Sequence, residues 1–240
     1  MRIGVLGCGV IASAVVRGIA LDGHQITLSE RSARHAQALA AEFPAITIAA
    51  NQAVVDASEV IFLGLMADAA PAILGALQFR PQQRIISFMA GASLAEADQM
   101  VRPARAVALM MPFPAIATGG SPVMMQGDAG LVGEIFGARN QIFPLASDAE
   151  MAAYLCAQAV LSPVARMISE TADWLADRGT DRAQGEAFLR LLIASSLAGS
   201  QCDRLIGALN TEGGYNQRLR LHMEESGMGT ALKAGLNRLS

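Results

Sequence analysis

The sequence predicts an α/β protein in two parts: a sheet of parallel strands covered by helices, followed by a region of helices alone. Three observations support this prediction. Short apolar runs alternate with helical patterns as far as residue 147, a glycine-rich turn follows the first run, and no convincing strand pattern occurs after residue 148. Alternation of this kind is typical of a parallel sheet with both faces buried.

The predicted strands are short and almost continuously apolar, as expected for strands buried on both faces. They cover residues 2–7, 24–30, 45–49, 59–65, 84–90 and 105–111, and residues 122–126 and 140–145 extend the sheet. The first helix is predicted over residues 10–21 and the second over 32–43. The later helical patterns break near residues 178–181 and at Gly213-Gly214. We therefore predict two domains, residues 1–147 and residues 148–240.

Composition excludes several classes of function. The 240 residues carry a formal net charge of −3, whereas nucleic-acid binding requires a concentrated basic surface. Three cysteines without disulfide or metal-ligand spacing predict a reducing cytoplasm and no metal site. The opening residues lack a signal-peptide pattern, and the longest uncharged run, residues 106–127, contains prolines that would break a membrane-spanning helix. A soluble cytoplasmic protein without nucleic-acid or membrane partners is expected.

The first motif that indicates chemistry follows the first predicted strand and opens a helix. It has the form Gly7-x-Gly9-x-x-Ala12. Gly7 permits a tight turn, Gly9 lets the backbone approach a pyrophosphate, and Ala12 allows the helix to pack closely on the strand. The N–H groups at the helix start, including those of Val10 and Ile11, would bind the anion. This motif predicts a Rossmann-type dinucleotide-binding domain.

The end of the second strand bears on which dinucleotide is bound. Glu30 stands where an acid would accept the ribose hydroxyls of NAD. Arg31, Ser32 and Arg34 follow at once and suit the 2′-phosphate of NADP. An N-terminal helix cap at Ser32 with solvated arginines is the alternative interpretation. The pattern favours NADP and leaves NAD possible.

The scarcity of residues that could donate a proton limits which reaction the chain could catalyse. Reduction of a carbonyl usually requires a proton donor such as His, Lys or Tyr near the oxygen. The only lysine, Lys233, lies in the last predicted helix, and the three histidines do not fall at an obvious site. A protonated imine is already a good hydride acceptor, so the enzyme mainly has to orient it and exclude water. The chain fits an imine reductase better than a lysine-dependent hydroxyacid dehydrogenase.

Four further segments complete a resemblance to a known family. They are IISFMAGASLAEAD (85–98), ALMMPFPAIATGG (108–120), AVLSPVARMISETADWLADRG (159–179) and NTEGGYNQRLRLHMEESG (210–227). Together with IGVLGCGVIASAVVRGI (3–19), they resemble the pyrroline-5-carboxylate reductases, which reduce a cyclic imine to proline with NAD(P)H. The likeness extends over nearly the whole chain, although it is diverged.

The resemblance implies a set of site residues. Further cofactor contacts fall on Leu65, Met66, Ala90 and Gly91. The substrate would be bound by Pro112, Phe113, Thr211, Gly213 and Gly214, with a carboxylate held by the glycine backbone. The catalytic candidates are Tyr215 and Asn216, which stand where the family has threonines. In the family the C-terminal helices intertwine with those of a second chain. The apolar segment 187–200 therefore predicts a homodimer.

The departures from the family pattern fall in loops that face the cofactor or the substrate. Glu212 replaces a proline, Phe113 stands in a block that has lost an asparagine and a threonine, and Met66-Ala67 replaces Lys-Pro. These changes predict a more apolar pocket and leave open an imine other than pyrroline-5-carboxylate. A non-catalytic nucleotide-binding relative is the alternative from a different functional class.

Overall fold

A computed structural model describes residues 1–239 of the chain, with only the backbone of Ser32 included. The chain divides into two compact units, Met1–Met151 and a second unit that begins at Ala152. All eight strands belong to the first unit. They are β1 (Arg2–Leu6), β2 (Gln25–Ser29), β3 (Ile46–Ala49), β4 (Val60–Leu63), β5 (Arg84–Ser87), β6 (Arg105–Pro112), β7 (Pro122–Gly127) and β8 (Gln141–Pro144).

Seven helices begin in the first unit, and the last of them crosses into the second. They are α1 (Val10–Ile19), α2 (Ala33–Glu42), α3 (Asn51–Ala57), α4 (Ala70–Leu74), α5 (Leu94–Met100), α6 (Ala129–Phe136) and α7 (Asp148–Ala157). The second unit continues with α8 (Leu161–Ala176), α9 (Arg182–Gly199), α10 (Cys202–Ala208), α11 (Tyr215–Glu225) and α12 (Met228–Leu236). The predicted helix breaks are both present. The fold class predicted from the sequence is confirmed.

The strands form one sheet in the order β3-β2-β1-β4-β5-β6-β7-β8. Pairing is parallel from β3 through β6 and between β7 and β8. The expected parallel arrangement fails at one pair, because β7 runs antiparallel to β6 with Met110 opposite Met125. Only residues 113–121 join these strands, and a parallel neighbour would require a crossover of about a dozen residues or more.

Successive side chains of each central strand point into two different hydrophobic layers, one on each face of the sheet. Val60 and Phe62 pack in the layer that includes α1 and α6, whereas Ile61 and Leu63 pack in the layer that includes α3, α4 and α5. The ring centroid of Phe62 lies 5.1 Å from that of Phe88 and 5.9 Å from that of Phe136. Two-sided burial explains why β4 is apolar at every position.

The helices of the second unit bury little within one chain. Ala172 and Gly185 are its only buried residues in the part of the chain that the structure describes. A Cβ at Gly185 would lie 2.9 Å from Leu175 Cδ1, so this glycine permits the close packing of α9 on α8. The stretch Asp148–Ala176 is long and apolar enough to cross a membrane, with 6% of its most apolar window buried. Helices at protein interfaces have the same composition, and the predicted soluble state stays a prediction.

Candidate functional site

The site residues predicted in the first unit all lie at the carboxyl ends of the strands, in the loops that follow them, at the end of β6 or in the first turn of α1. Chain order reverses between β1 and its neighbour β4, since β2 and β3 lie on the other side of β1. In open α/β sheets a ligand binds at the carboxyl ends of the strands beside such a reversal. The residues concerned follow β2 (Glu30, Arg31), β1 (Gly7, Gly9, Val10, Ile11, Ala12), β4 (Leu65, Met66), β5 (Ala90, Gly91) and the end of β6 (Pro112, Phe113).

The two motif glycines are required for different reasons. Gly7 has a φ of +86°, and a Cβ there would lie 2.6 Å from the carbonyl oxygen of Gly64. Gly9 has a φ of −79°, which any residue adopts. A Cβ at Gly9 would meet no atom within 4 Å among the described residues. Packing therefore explains Gly7, whereas the space at Gly9 is open for a ligand.

Helix α1 presents an uncapped N-terminus at this space. Gly9 is its N-cap residue and supplies no side chain, so the first N–H groups of the helix have no side-chain partner. Ala12 is buried, while the Val10 side chain is 69% exposed. Uncapped N–H groups together with the helix dipole form an anion site, and no acidic side chain in the first turn opposes it. The arrangement suits a pyrophosphate.

Two residues that support this loop do not appear among the predicted site residues. Gly64 packs backbone to backbone against Gly7, and a Cβ at Gly64 would also approach the Cβ of Ala12 to 2.9 Å. Ser29 is fully buried at the end of β2, and its Oγ accepts the N–H of Gly7 at 3.0 Å. An isolated glycine after a strand signals close backbone approach, so Gly64 could have been found from the sequence. No local pattern connects Ser29 to Gly7.

The end of β2 continues into a short 3₁₀ turn, Glu30–Ser32. Glu30 and Arg31 are exposed there, at the strand next to the glycine loop. Within the described residues, which exclude the Ser32 side chain, neither Arg31 nor Arg34 forms an ion pair. The predicted role of Ser32 depends on a side chain outside the described part of the structure. Two unpaired guanidinium groups suit a phosphate at this position.

The loops after β4 and β5 lie beside each other. Met66 is 74% exposed, and Ala90 and Gly91 are exposed as well. Gly91 has a φ of +86°, and a Cβ there would lie 3.9 Å from the Cβ of Ala67. The turn leads to Ser93, which caps α5 and donates to Glu96 from its N–H at 2.7 Å and from its hydroxyl at 2.8 Å. These bonds hold the pKa of Glu96 below its usual value.

An apolar cluster lies at the end of β6. Phe113 and Met111 pack against Met124, Leu145 and Met151, all of which belong to the first unit. Pro112 and Phe113 are half-buried. The side chains packed at this strand end are therefore apolar.

Cys8 lies between the two motif glycines and is fully buried. Burial raises the pKa of its thiol, which keeps the thiol protonated at neutral pH. Its sulfur lies 3.5 Å from Ser13 Oγ. Cys8 therefore behaves as a small core residue. Among the described residues there is no cluster of three metal-ligating side chains.

The remaining predicted site residues lie in the second unit, between α10 and the start of α11. Gly213 has a φ of +69°, which favours glycine, and Gly214 is the N-cap residue of α11. The Gly213 N–H donates to Gln217 Oε1 at 2.9 Å, and the Gly214 N–H donates to the Thr211 carbonyl at 3.0 Å. Tyr215 is 90% exposed, and Asn216 is exposed beside it. Their predicted catalytic role stays a prediction.

The first unit thus has the arrangement of a Rossmann-type dinucleotide-binding domain, and six helices follow β8. Comparison with known proteins agrees with this description of the fold. A family model described as NADP oxidoreductase, coenzyme F420-dependent, matches residues 2–91. No sequence among the curated proteins matches the chain significantly.

Solved structures are similar over the full length of the chain. The 1-pyrroline-5-carboxylate reductase of Streptococcus pyogenes superposes with a TM-score of 0.84 at 20% identity, covering 100% of this chain and 96% of that chain. Plasmodium falciparum pyrroline carboxylate reductase with NADP bound gives 0.80 at 15% identity, covering 100% and 95%. A reductive aminase from Aspergillus terreus, in complex with NADPH and ethyl levulinate, gives 0.60 at 19% identity, covering 89% and 78%. The chain therefore has the fold of the pyrroline-5-carboxylate reductases, and the fold that the resemblance implies is confirmed.

Proposed function

We propose that this protein is an NAD(P)H-dependent oxidoreductase that reduces the C=N bond of a small cyclic imine, with pyrroline-5-carboxylate, the precursor of proline, as the leading substrate. The observation that carries the proposal is the likeness to pyrroline-5-carboxylate reductases over the whole chain. The open space at Gly9, beside the uncapped start of α1, supports dinucleotide binding independently of that likeness.

NADP is the proposed cofactor. Arg31, in the turn after β2, and Arg34, at the start of α2, are unpaired within the described residues, and the adenine ribose binds beside the end of β2 in this fold. Replacing Arg31 with Ala is expected to raise the KM for NADPH by about tenfold and to leave that for NADH unchanged, because one charge-assisted contact is lost. Arg105→Ala, at an exposed arginine at the start of β6, is the control. Equal changes for both cofactors would contradict the assignment.

The proposed chemistry makes few demands on acid–base groups. When bound, the reduced nicotinamide supplies a hydride to the imine carbon, and the nitrogen of a protonated imine needs no further proton. The residues of this chain would then bind and orient the two reactants. Gly9 and the start of α1 would hold the pyrophosphate. Pro112 and Phe113 would exclude water from the substrate, since their surroundings are apolar.

The loop before α11 is proposed to bind the substrate. Gly213 and Gly214 would turn the backbone, and Thr211, Tyr215 and Asn216 would supply polar groups. The Gly213 and Gly214 N–H groups are hydrogen-bonded within the loop, so a carboxylate would bind at the free N–H groups of the first turn of α11.

A homodimer through the C-terminal helices is part of the proposal. Helix α9 exposes Phe188, Leu191, Leu192 and Leu197, each by about half or more. A groove of about 780 Å³ between α8 and the α11–α12 pair is lined by residues such as Met167, His222 and Leu232. Exposed apolar surface on this scale is typical of an interface, and a second copy of the chain would cover it.

A different cyclic imine is the second candidate substrate. Met66, exposed after β4, and the apolar cluster around Phe113 favour a substrate with more apolar surface than pyrroline-5-carboxylate. An Aspergillus terreus imine reductase with NADPH4 and dibenz[c,e]azepine has a related fold, with a TM-score of 0.54. Activity on such an imine would keep the chemistry and change the place of the enzyme in metabolism.

The decisive experiment follows the oxidation of NADPH and NADH by their absorbance, using the purified protein and pyrroline-5-carboxylate. Turnover that rises with enzyme concentration is the expected result. Tight NADPH binding without turnover would refute the proline-forming reaction and direct testing to a panel of apolar cyclic imines. Binding without turnover on the whole panel would favour a non-catalytic nucleotide-binding relative.

A further inference from the structure

The loop that joins β1 to α1, residues 7–9, is held at both ends by buried hydroxyl groups. The N–H of Gly7 donates to Ser29 Oγ at 3.0 Å, and Ser13 Oγ donates to the Gly9 carbonyl at 2.7 Å. The two serines are 0% and 4% exposed. Ser29 comes from β2 and Ser13 from the second turn of α1, so both contact the loop from inside the domain.

Packing alone does not explain serine at these positions. Both serines are buried, and an apolar residue in the same place would avoid the cost of burying a hydroxyl. Serine is also a weaker helix former than alanine in the interior of a helix such as α1. What each hydroxyl contributes is one hydrogen bond to the backbone of the glycine loop.

The glycine loop has a particular need for such bonds. Glycine has more conformational freedom than other residues, and this loop contains two glycines between the strand and the helix. A pyrophosphate binds only when successive N–H groups point towards it together. If the loop sampled other conformations, the affinity for the cofactor would fall by the free energy needed to order it.

We propose that Ser29 and Ser13 are positioning residues, which hold the glycine loop in the conformation that binds the cofactor pyrophosphate. This inference rests on the proposed dinucleotide binding. It adds two residues that act through the backbone of Gly7 and Gly9 and do not themselves contact the cofactor.

The test compares Ser29→Ala and Ser13→Ala with a matched control, Ser58→Ala. Ser58 is 1% exposed, and its hydroxyl donates to the Val54 carbonyl at 2.7 Å. It precedes β4 and therefore lies at the amino ends of the strands, away from the glycine loop. Each positioning variant is expected to raise the Kd for NADPH about fivefold, the effect of one lost hydrogen bond. Ser58→Ala is expected to lower Tm similarly and to leave the Kd unchanged.

Further readouts separate positioning from general stability. The KM for NADPH should rise in the Ser29 and Ser13 variants, whereas kcat at saturating NADPH should stay unchanged. Amide hydrogens of residues 9–12 should exchange faster in these cofactor-free variants and not in Ser58→Ala. Ser29→Cys keeps the shape of the side chain, although sulfur is larger than oxygen, and supplies only a weak acceptor, so it should still lose affinity.

A wild-type Kd in both alanine variants, or a Kd that rises equally in Ser58→Ala, would overturn the inference. If the wild-type protein bound neither NADPH nor NADH, the proposed function would fail, and the positioning role with it. The two failures are therefore distinguishable from the wild-type titration.

Discussion

The two units of the chain differ in how they bury apolar side chains. In the first unit, the central strands alternate between two hydrophobic layers, and residues such as Phe62 and Ile61 are fully buried. In the second unit, one helix after another exposes large apolar side chains. All but four of the exposed large apolar residues of the described chain lie there, the four being Val10, Leu21, Ile48 and Met66.

This difference indicates whether each unit can bury its apolar side chains within a single chain. A sheet covered on both faces completes its own core, so the first unit has what it needs for stability in a single chain. Helices with exposed apolar faces need a further surface against which to pack. The second unit is therefore the part of the molecule whose stability is expected to depend on a second copy.

The largest effect is expected from charges on the exposed face of α9. Phe188→Glu combined with Leu191→Glu should abolish the dimer and, with it, most of the reductase activity, because buried unpaired carboxylates are strongly disfavoured. Light scattering coupled to gel filtration measures the change in mass. Leu21→Glu, at a leucine that is 80% exposed in the first unit, is the matched control and should leave the mass unchanged. A dimeric α9 variant would refute the proposed interface.

The second prediction compares the loss of stability caused by truncating a phenylalanine in each unit. Phe62→Ala should reduce the free energy of unfolding by about 3–5 kcal/mol at every protein concentration, because it leaves a cavity in the core of the first unit. Phe188→Ala, at a side chain that is 60% exposed in one chain, should be destabilising only at concentrations where the dimer forms. Urea denaturation over a wide range of protein concentration distinguishes the two. A concentration-independent loss at Phe188 would place that side chain in the core of a single chain.

The third effect separates ligand binding from folding within the first unit. Gly9→Val should raise the Kd for NADPH at least about tenfold, with a smaller change in Tm than Gly7→Ala, since its Cβ would lie in the open space and meet no described atom within 4 Å. Gly7→Ala should lower Tm, because the glycine has a positive φ and lies against Gly64. Calorimetry and cofactor titration of both variants provide the measurement. Normal NADPH binding by Gly9→Val would be incompatible with the proposed pyrophosphate site.

The smallest effect concerns a capped helix start, in contrast to the uncapped starts of α1 and α11. Hydrogen bonds from Ser93 lower the pKa of Glu96 in the folded state, so the charged carboxylate stabilises the fold above its unfolded-state pKa. This contribution is lost as the pH falls through the lowered, folded-state pKa. Glu96→Gln should therefore lower Tm by a few degrees at neutral pH and by less in acid. A difference in Tm that persists at low pH would contradict this origin.

Much of the fold could be predicted because its signals are local. All eight strands were recognisable as apolar runs, and the glycine motif follows the first of them. Several strands end earlier than the apolar run, since β4 stops at Leu63 and β5 at Ser87, where the chain turns into the site loops. The antiparallel direction of β7 follows from a short connection and not from the residues of the strand itself.

The site was predicted less completely, and the reason is physical. Gly7 and Gly9 belong to one short motif, so a pattern can find them. Ser29 is 22 residues from Gly7 in the chain, and only the pairing of β2 with β1 brings its hydroxyl to the loop. Thr211, Gly213, Gly214, Tyr215 and Asn216 were assigned by family resemblance, and their roles remain predictions for the kinetic experiments.

The contrast between Gly7 and Gly9 has a consequence for how the sequence can drift. Selection for a folded, soluble protein would retain Gly7, because any side chain there meets the Gly64 backbone. The same selection would not retain Gly9, where a Cβ would meet no described atom within 4 Å and where Ser, Asp or Asn would cap the helix at least as well. A library of variants sorted only for folding should therefore lose glycine at position 9 and keep it at position 7. Only selection for cofactor binding would retain glycine at both positions.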